Sequence, residues 1–387
     1  MPRPVIVADE TIPFATEAFG TLGDVRLRHG REISREDLVD ADLLVVRAVT
    51  RVDGALLTGT RVRFVGTATS GIDHVSLSDL ERLGVAFSAA HGCNANAVAE
   101  YMTAAWVTIA SRLGVGLRGL RVGVIGVGHV GSMVVEKARA LGMIPVLNDP
   151  PLARQTGRAV YRPLDELSDC DIVTCHAPLT VDGLDPTFRL IGDAFFSTLK
   201  RGAWFCNAGR GEVVDEAALQ RILDSGRLGA AVLDVWDHEP AIDARLLERV
   251  NLATPHVAGY SFEGKLNGTR MVYDAACRFV GVAPAWDPQT AVPPPDVPAV
   301  EIDATGRSDV DVLAELVSRL YPIERDDEAL RRTGPMTPDE RGREFDRLRK
   351  AYQHRREFGN TVVRARGASV RLLGMLRGLG FEVAARG

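Results

Sequence analysis

The sequence predicts an α/β protein built from two doubly wound parallel-sheet domains, followed by a small α+β unit. Three observations predict it. Short β-rich runs alternate with helical patterns as far as about residue 256, the pattern of strands joined by crossover helices. A glycine-punctuated turn, Gly126-Val127-Gly128-His129-Val130-Gly131, lies between an apolar strand pattern and a helix pattern, as at the first turn of a doubly wound sheet. A proline-dense stretch, "APAWDPQTAVPPPDVPAV", then reads as an extended linker and sets off the last hundred or so residues.

In the first domain, "VIVAD", "ADLLVVR" and "VRFVGTAT" read as strands. The stretch "NANAVAEYMTAAWVTIASRL" reads as a long Asn-capped helix, apolar enough to be buried, between domains. The second domain has strands "RVGVIG", "IPVLND", "DIVTCHA", "AWFCNAG" and "AAVLDVW", with helices "GSMVVEKARALG", "DAFFSTLK" and "DEAALQRILDSG" among them. "SFEGKLNGTRMVYDAACRFVGV" reads as an amphipathic helix that returns the chain to the first domain. The third unit reads as strand "AVEIDA", helix "VDVLAELVSRL", charged helix "DERGREFDRLRKAYQHRREF", strand "TVVRAR" and a final helix–strand pair. The expected domains are therefore 1–95 completed by 257–284, 96–256, and 285–387.

Composition excludes several classes of function. A net charge of −5 gives no general attraction to nucleic acid or to an anionic membrane. No run of about 18 apolar residues suggests a transmembrane helix. The start, "MPRPVIVADE", meets acidic residues too early for a secretory signal, so a cytoplasmic protein is expected. Cys93, Cys170, Cys175, Cys206 and Cys277 form no CxxC pair and no zinc-like spacing, which points to reduced thiols and no metal.

The glycine turn suits a dinucleotide. Gly126 permits the tight turn, Gly128 lets the backbone approach a pyrophosphate, and Gly131 lets helix and strand pack closely. The following helix offers free amides and a positive dipole to phosphate. Asp149 ends the next strand, where a carboxylate accepts from ribose hydroxyls and repels a 2′-phosphate; NAD is favoured over NADP.

Three later strand ends carry groups suited to hydride chemistry. Arg210 in "NAGRGEVVDEAAL" has a glycine on either side, Gly209 and Gly211, expected to leave its guanidinium unobstructed as a fork for a carboxylate. Glu239 in "LDVWDHEP" and His256 in "TPHVAGY" both follow strand-like segments, so the carboxylate can hold the imidazole if those strands are neighbours. An imidazole so held can move the hydroxyl proton.

The segments "GVIGVGHVG", "NAGRGEVVDEAAL", "LDVWDHEP" and "TPHVAGYSFEG" resemble the signatures of the NAD-dependent D-2-hydroxyacid dehydrogenases. "VGTATSGIDHV", "FSAAHGCNANAVAEY", "NDPP", "HVAGYSFEGK" and "FDRLRKAYQHRREF" are similar to a branch of that family that oxidises a phosphorylated 2-hydroxy acid and carries an extra C-terminal dimerisation domain. The resemblance implies a Rossmann nucleotide-binding domain, a flavodoxin-like substrate or lid domain, and a homodimer. It implies that Arg210 orients the carboxylate and C2 oxygen, that Glu239 polarises the histidine, and that His256 is the acid/base. It assigns Asp149, Asp234 and Gly259 to the cofactor, with the loop residues Gly126, Gly128, His129, Val130 and Gly131, and it assigns Arg47, Thr69 and Tyr260 to the substrate. Two positions depart from the family pattern. Ala48 stands where a serine contacts substrate, and Ala177 where a threonine touches the cofactor, leaving only backbone groups there.

A phosphorylated substrate needs further cations. Arg47 is the first candidate, and Arg347, Arg349, Lys350, Arg355 and Arg356 are expected on one helix, part of which reaches the active site across a dimer interface. Two alternatives stay open: a sister enzyme, for instance one acting on 3-phosphoglycerate, and a non-enzymatic NAD-sensing protein on the same fold.

Overall fold

A computed structural model describes residues 3–288, 292–353 and 355–384; residues 289–291 of the proline-rich linker and His354 of the basic stretch lie outside the described residues. The chain forms two compact units, Met1–Asn94 with Ser261–Pro294, and Ala95–Tyr260 with Pro295–Gly387.

The first unit is a five-stranded parallel sheet: β1 (Val5–Asp9), β2 (Asp24–Arg28), β3 (Leu43–Val46), β4 (Phe64–Thr67) and β5 (Ala86–Ala89), in the order β2-β1-β3-β4-β5. β3 and β4 are buried throughout because both faces of the sheet are covered. One face carries Phe19, Val272 and Tyr273, the other Leu38, Leu57 and Leu80. β2 reads "DVRLR" and sits at the edge, so its alternating charges meet solvent. The helix Phe262–Val280 starts under a Ser261 cap, whose hydroxyl accepts from Gly264 N, and ends at a left-handed Gly281.

The second unit contains the six-stranded parallel sheet of β6 (Arg121–Ile125), β7 (Ile144–Asn148), β8 (Ile172–Cys175), β9 (Trp204–Asn207), β10 (Ala230–Leu233) and β11 (Leu252–Ala253). Its order, β11-β10-β9-β8-β6-β7, reverses direction at β6: the chain goes to β7 on one side, then returns to β8 on the other. A crevice at the carboxyl ends of the strands is expected at such a reversal. The same unit holds a second, three-stranded parallel sheet, β12 (Ala299–Asp303), β13 (Val362–Arg366) and β14 (Glu382–Val383), in sequence order. The C-terminal stretch, expected as a domain of its own, thus falls in the same compact unit as the nucleotide-binding sheet.

One hydrophobic cluster explains why. It runs from Trp106 and Val107 of the helix Ala95–Leu113, through Val124 and Val134, to Leu313, Phe358 and Phe381. An ion pair reinforces it: Arg355 Nη1 lies 2.6 Å from Glu100 Oε2, with side chains 6% and 1% exposed. Glu100 Oε1 accepts from Phe358 N at 2.9 Å, and the Arg355 guanidinium covers the Tyr321 ring at 4.4 Å. The charged helix is shorter than expected. It runs Pro338–Lys350 behind a Thr337–Glu340 capping box, so Arg355 and Arg356 lie beyond it. The chain leaves the helix because Tyr352 bonds Asp326 and Arg355 turns inward to Glu100.

Removing one partner of a buried pair strands the other. Arg355→Met should cost about 3–5 kcal/mol in urea denaturation, and Glu100→Gln in the same chain should recover part of that loss. A cost of Arg355→Met below about 1 kcal/mol would contradict a structural role for the pair.

Candidate active site

The glycine loop lies at the point where the sheet order reverses. Gly126 has φ +79°, and a Cβ there would lie 2.7 Å from Ala177 N, so the turns after β6 and β8 touch. A Cβ on Gly131 would lie 2.0 Å from Gly126 O, whereas nothing lies within 4 Å of a Cβ on Gly128. That open side is where a pyrophosphate fits. No side chain caps the helix His129–Ala140, so its first amides, among them those of Val130 and Gly131, are left for phosphate. Asp149 ties the loop down: Oδ2 accepts from Val127 N at 2.8 Å and Oδ1 from Leu152 N at 2.9 Å. The remaining lone pairs of this half-buried carboxylate suit ribose hydroxyls. Arg154, the nearby cation that a 2′-phosphate would need, is paired with Asp185 instead. Ala177 is 6% exposed and offers backbone to the loop.

Arg210, Glu239 and His256 follow β9, β10 and β11, three neighbouring strands, and so converge on one edge of the sheet. His256 Nδ1 lies 2.7 Å from Glu239 Oε2, with side chains 31% and 19% exposed. Glu239 Oε1 accepts from Trp236 N at 2.9 Å, which aims the carboxylate at the imidazole. The carboxylate therefore accepts a hydrogen bond from Nδ1–H and leaves Nε2 as the open position. Burial alone would push the Glu239 carboxyl up; His256, the Trp236 amide and Arg349 together hold it below its ordinary value. His256 has φ +54°, a left-handed conformation unusual for a side chain with a Cβ.

Asp234 holds that turn. Its carboxylate accepts from Thr254 Oγ1 at 2.7 Å, Val257 N at 2.8 Å and Ala258 N at 3.0 Å. Tyr260 N donates to Val257 O at 2.8 Å, bringing Gly259 and Tyr260 into the same turn. The glycine after Arg210 has a different purpose from the expected clearance for the guanidinium. A Cβ on Gly211 would lie 2.0 Å from the Trp236 carbonyl, so Gly211 lets the Arg210 and Glu239 loops pack together.

Two further charged residues of this unit bear on the site: Glu216, which the sequence does not single out, and Arg349, which it expects there among the basic residues of the C-terminal stretch. Glu216 Oε1 accepts from Asp237 N at 2.8 Å, bracing the Glu239 loop. Arg349 hydrogen-bonds Tyr260 and faces Glu239 within the same chain. In the first unit, Arg47 follows β3 and donates to Thr11 Oγ1 at 3.5 Å, with the exposed Ala48 beside it. Lys265, one turn into the helix Phe262–Val280, is electrostatically coupled to Arg47. Burial first, then that guanidinium, pushes its pKa down to about 7, against the pull of Asp9. Thr69 Oγ1 bonds Thr67 Oγ1 at 2.8 Å and Gly71 O at 2.9 Å, shaping the turn after β4.

Residues 85–258 match the D-isomer specific 2-hydroxyacid dehydrogenase NAD binding domain, and residues 292–380 match a model described only as a domain of unknown function. The erythronate-4-phosphate dehydrogenase of Marinobacter nauticus is 42% identical, over 98% of this chain and 99% of its own length. The chain belongs to the erythronate-4-phosphate dehydrogenase family. The Cronobacter sakazakii member is 44% identical, over 97% of this chain and 98% of its own. Among solved structures, the Aquifex aeolicus D-lactate dehydrogenase, complexed with NAD and lactic acid, is 25% identical with a TM-score of 0.57; the match covers 72% of this chain and 95% of that one. NAD is the cofactor, as the open glycine loop, Asp149 and the committed Arg154 accommodate.

Burial pushes the Glu216 carboxyl up to about 8, although the Asp237 amide pulls the other way. In the unfolded chain the group titrates near 4.3, so the favourable protonated state is fully present below that pH and is lost as pH rises through about 8. Glu216→Gln keeps the acceptor and cannot ionise. It should be more stable than the parent at pH 8 by up to a few kcal/mol, and no more stable at pH 4. Melting temperatures at the two pH values check this, and a difference that does not change with pH contradicts it.

Proposed function

We propose that the protein oxidises 4-phospho-D-erythronate at C2, giving (R)-3-hydroxy-2-oxo-4-phosphooxybutanoate; the names of the Marinobacter nauticus and Cronobacter sakazakii relatives and the site geometry together support this. The observation that carries this reading is the 2.7 Å Glu239–His256 bond beside Arg210, at the ends of three neighbouring strands.

Bound NAD supplies the hydride acceptor. The Arg210 guanidinium takes the substrate carboxylate and C2 oxygen, fixing which carbon faces the cofactor. His256 Nε2 accepts the C2 hydroxyl proton as the C2–H bond breaks, and Glu239 stabilises the imidazolium that results. Tyr260, Arg47 and Thr69 contact the remainder of the substrate, while Ala48 contributes only backbone. Asp149 and the glycine loop hold the dinucleotide, and Gly259 leaves room beside the reacting ring. Nothing in this set requires a metal, and no group of three or more His, Cys, Asp or Glu positioned for one occurs among the described residues.

The proposal extends to a cytoplasmic enzyme of pyridoxal phosphate biosynthesis that works as a homodimer. No helix among the described residues is long and apolar enough to cross a membrane, which is compatible with this placement. β12 and β14 form the two edges of the small sheet, unpaired on their outer sides among the described residues, which supports self-association there.

The direct experiment mixes purified protein and NAD with 4-phospho-D-erythronate, 3-phosphoglycerate or unphosphorylated erythronate. A 2-oxo acid acceptor is included so that tightly held NADH can turn over. NADH formation with the first substrate, lowered roughly 10²- to 10⁴-fold by His256→Ala, is expected. Preference for 3-phosphoglycerate would point to a sister enzyme, and bound NAD without turnover on any substrate would favour a sensor. Light scattering should give twice the chain mass of 41.8 kDa; a single-chain mass contradicts the dimer.

A further inference from the structure

Arg349 lies in the last turn of the charged helix of the C-terminal stretch yet sits beside the catalytic pair of its own chain. Two other cations of this stretch are spent locally: Arg347 pairs with Glu344, and Arg355 with Glu100. Arg349 is different. Its guanidinium hydrogen-bonds the Tyr260 hydroxyl and faces Glu239. Its Cζ sits 5.9 Å from the centre of the Phe345 ring, and Tyr260 packs edge-on to Tyr352 with ring centres 5.7 Å apart. Its Nε is buried with no hydrogen-bond partner.

A buried N–H of a cation with no acceptor is costly, and local packing fixes this one in place. The carboxylate it faces, Glu239, is already occupied by His256 Nδ1 and Trp236 N. The guanidinium is therefore held with donors to spare at the edge of the catalytic pair. A planar fork of this kind suits a doubly charged phosphate monoester, to which it can donate two parallel bonds.

We propose that Arg349 is the specificity-determining ligand for the substrate's phosphate, supplied in cis by the C-terminal stretch, with Tyr260 as its positioning partner. This rests on the reading above that the substrate is a phosphorylated 2-hydroxy acid, and it makes a partner subunit unnecessary for this contact. It also gives the extra domain a role in recognition: Arg210 takes the carboxylate end and Arg349 the phosphate end.

The test compares the full-length parent with Arg349→Gln and Arg349→Lys in steady-state oxidation of 4-phospho-D-erythronate, alongside NAD affinity. Arg349→Gln should raise KM roughly 10- to 100-fold, the range for losing a charge-assisted bond, with kcat falling by a smaller factor. Arg349→Lys, which keeps the charge, should recover part of the KM, and NAD affinity should stay as in the parent. Either of two results overturns the inference: a loss confined to kcat, which would make Arg349 only a support for Glu239, or an unchanged KM. Loss of NAD binding in both variants would assign the guanidinium to the scaffold and overturn it as well. A parent that fails to oxidise 4-phosphoerythronate is a distinct outcome, because it removes the underlying reading before any variant is compared.

Discussion

The Asp234 carboxylate at the end of β10 is 1% exposed and accepts from one hydroxyl and two backbone amides of the segment Thr254–Ala258. Those bonds fix the turn in which His256 adopts a left-handed backbone, a conformation that costs of order 1 kcal/mol or more for a residue with a Cβ. Burial pushes the Asp234 carboxyl up, against the pull of His256 and of the same hydrogen bonds. The turn persists because several contacts determine it at once: His256 N also donates to Asp234 O at 2.7 Å, and Thr254 Oγ1 meets Tyr101 OH at 2.9 Å. Without this anchor the imidazole would lose its aim at Glu239, and the strand ends would carry the right residues in the wrong places.

The location of the site follows from strand order. Parallel strands present all their carboxyl ends on one edge, so short loops after β6, β8, β9, β10 and β11 collect there. Gly126 against Ala177 and Gly211 against Trp236 show how closely these loops pack, and a side chain at either glycine would force them apart. The C-terminal stretch joins this edge from outside the sheet. The helix Ala95–Leu113 carries Glu100 to meet Arg355, and the same packing holds the helix Pro338–Lys350 where its last turn reaches Tyr260.

Much of this was legible in the sequence where local pattern and tertiary role coincide. Apolar strands, the glycine loop and the Arg210, Glu239 and His256 positions are set by short-range constraints, which survive in a linear reading. β2 escaped notice because "DVRLR" is an edge strand whose charges face solvent and so lacks the apolar run of a central strand. The end of the helix at Lys350 was misjudged because charged residues after it continue a helical pattern, while the pull of Asp326 on Tyr352 and of Glu100 on Arg355 is non-local. Glu216 and Lys265 are not legible for the same reason: each is an ordinary charged residue in its own element, and its role comes from what another element places beside it. Arg349 is legible as an active-site cation, but the sequence expects it to come from a partner chain, whereas it meets Tyr260 and Glu239 of its own. The role of Gly211 is not legible from its neighbour in sequence, because the Trp236 carbonyl it faces comes from the next strand's loop.

The most direct test of the account is the position of the substrate C2 oxygen in a crystal structure of the complex with NADH and the 2-oxo product. This oxygen is expected within about 2.6–3.2 Å of His256 Nε2, with Nδ1 still on Glu239 and Arg210 on the carboxylate. A product bound with its C2 oxygen turned away from His256, or an imidazole released from Glu239, would contradict it.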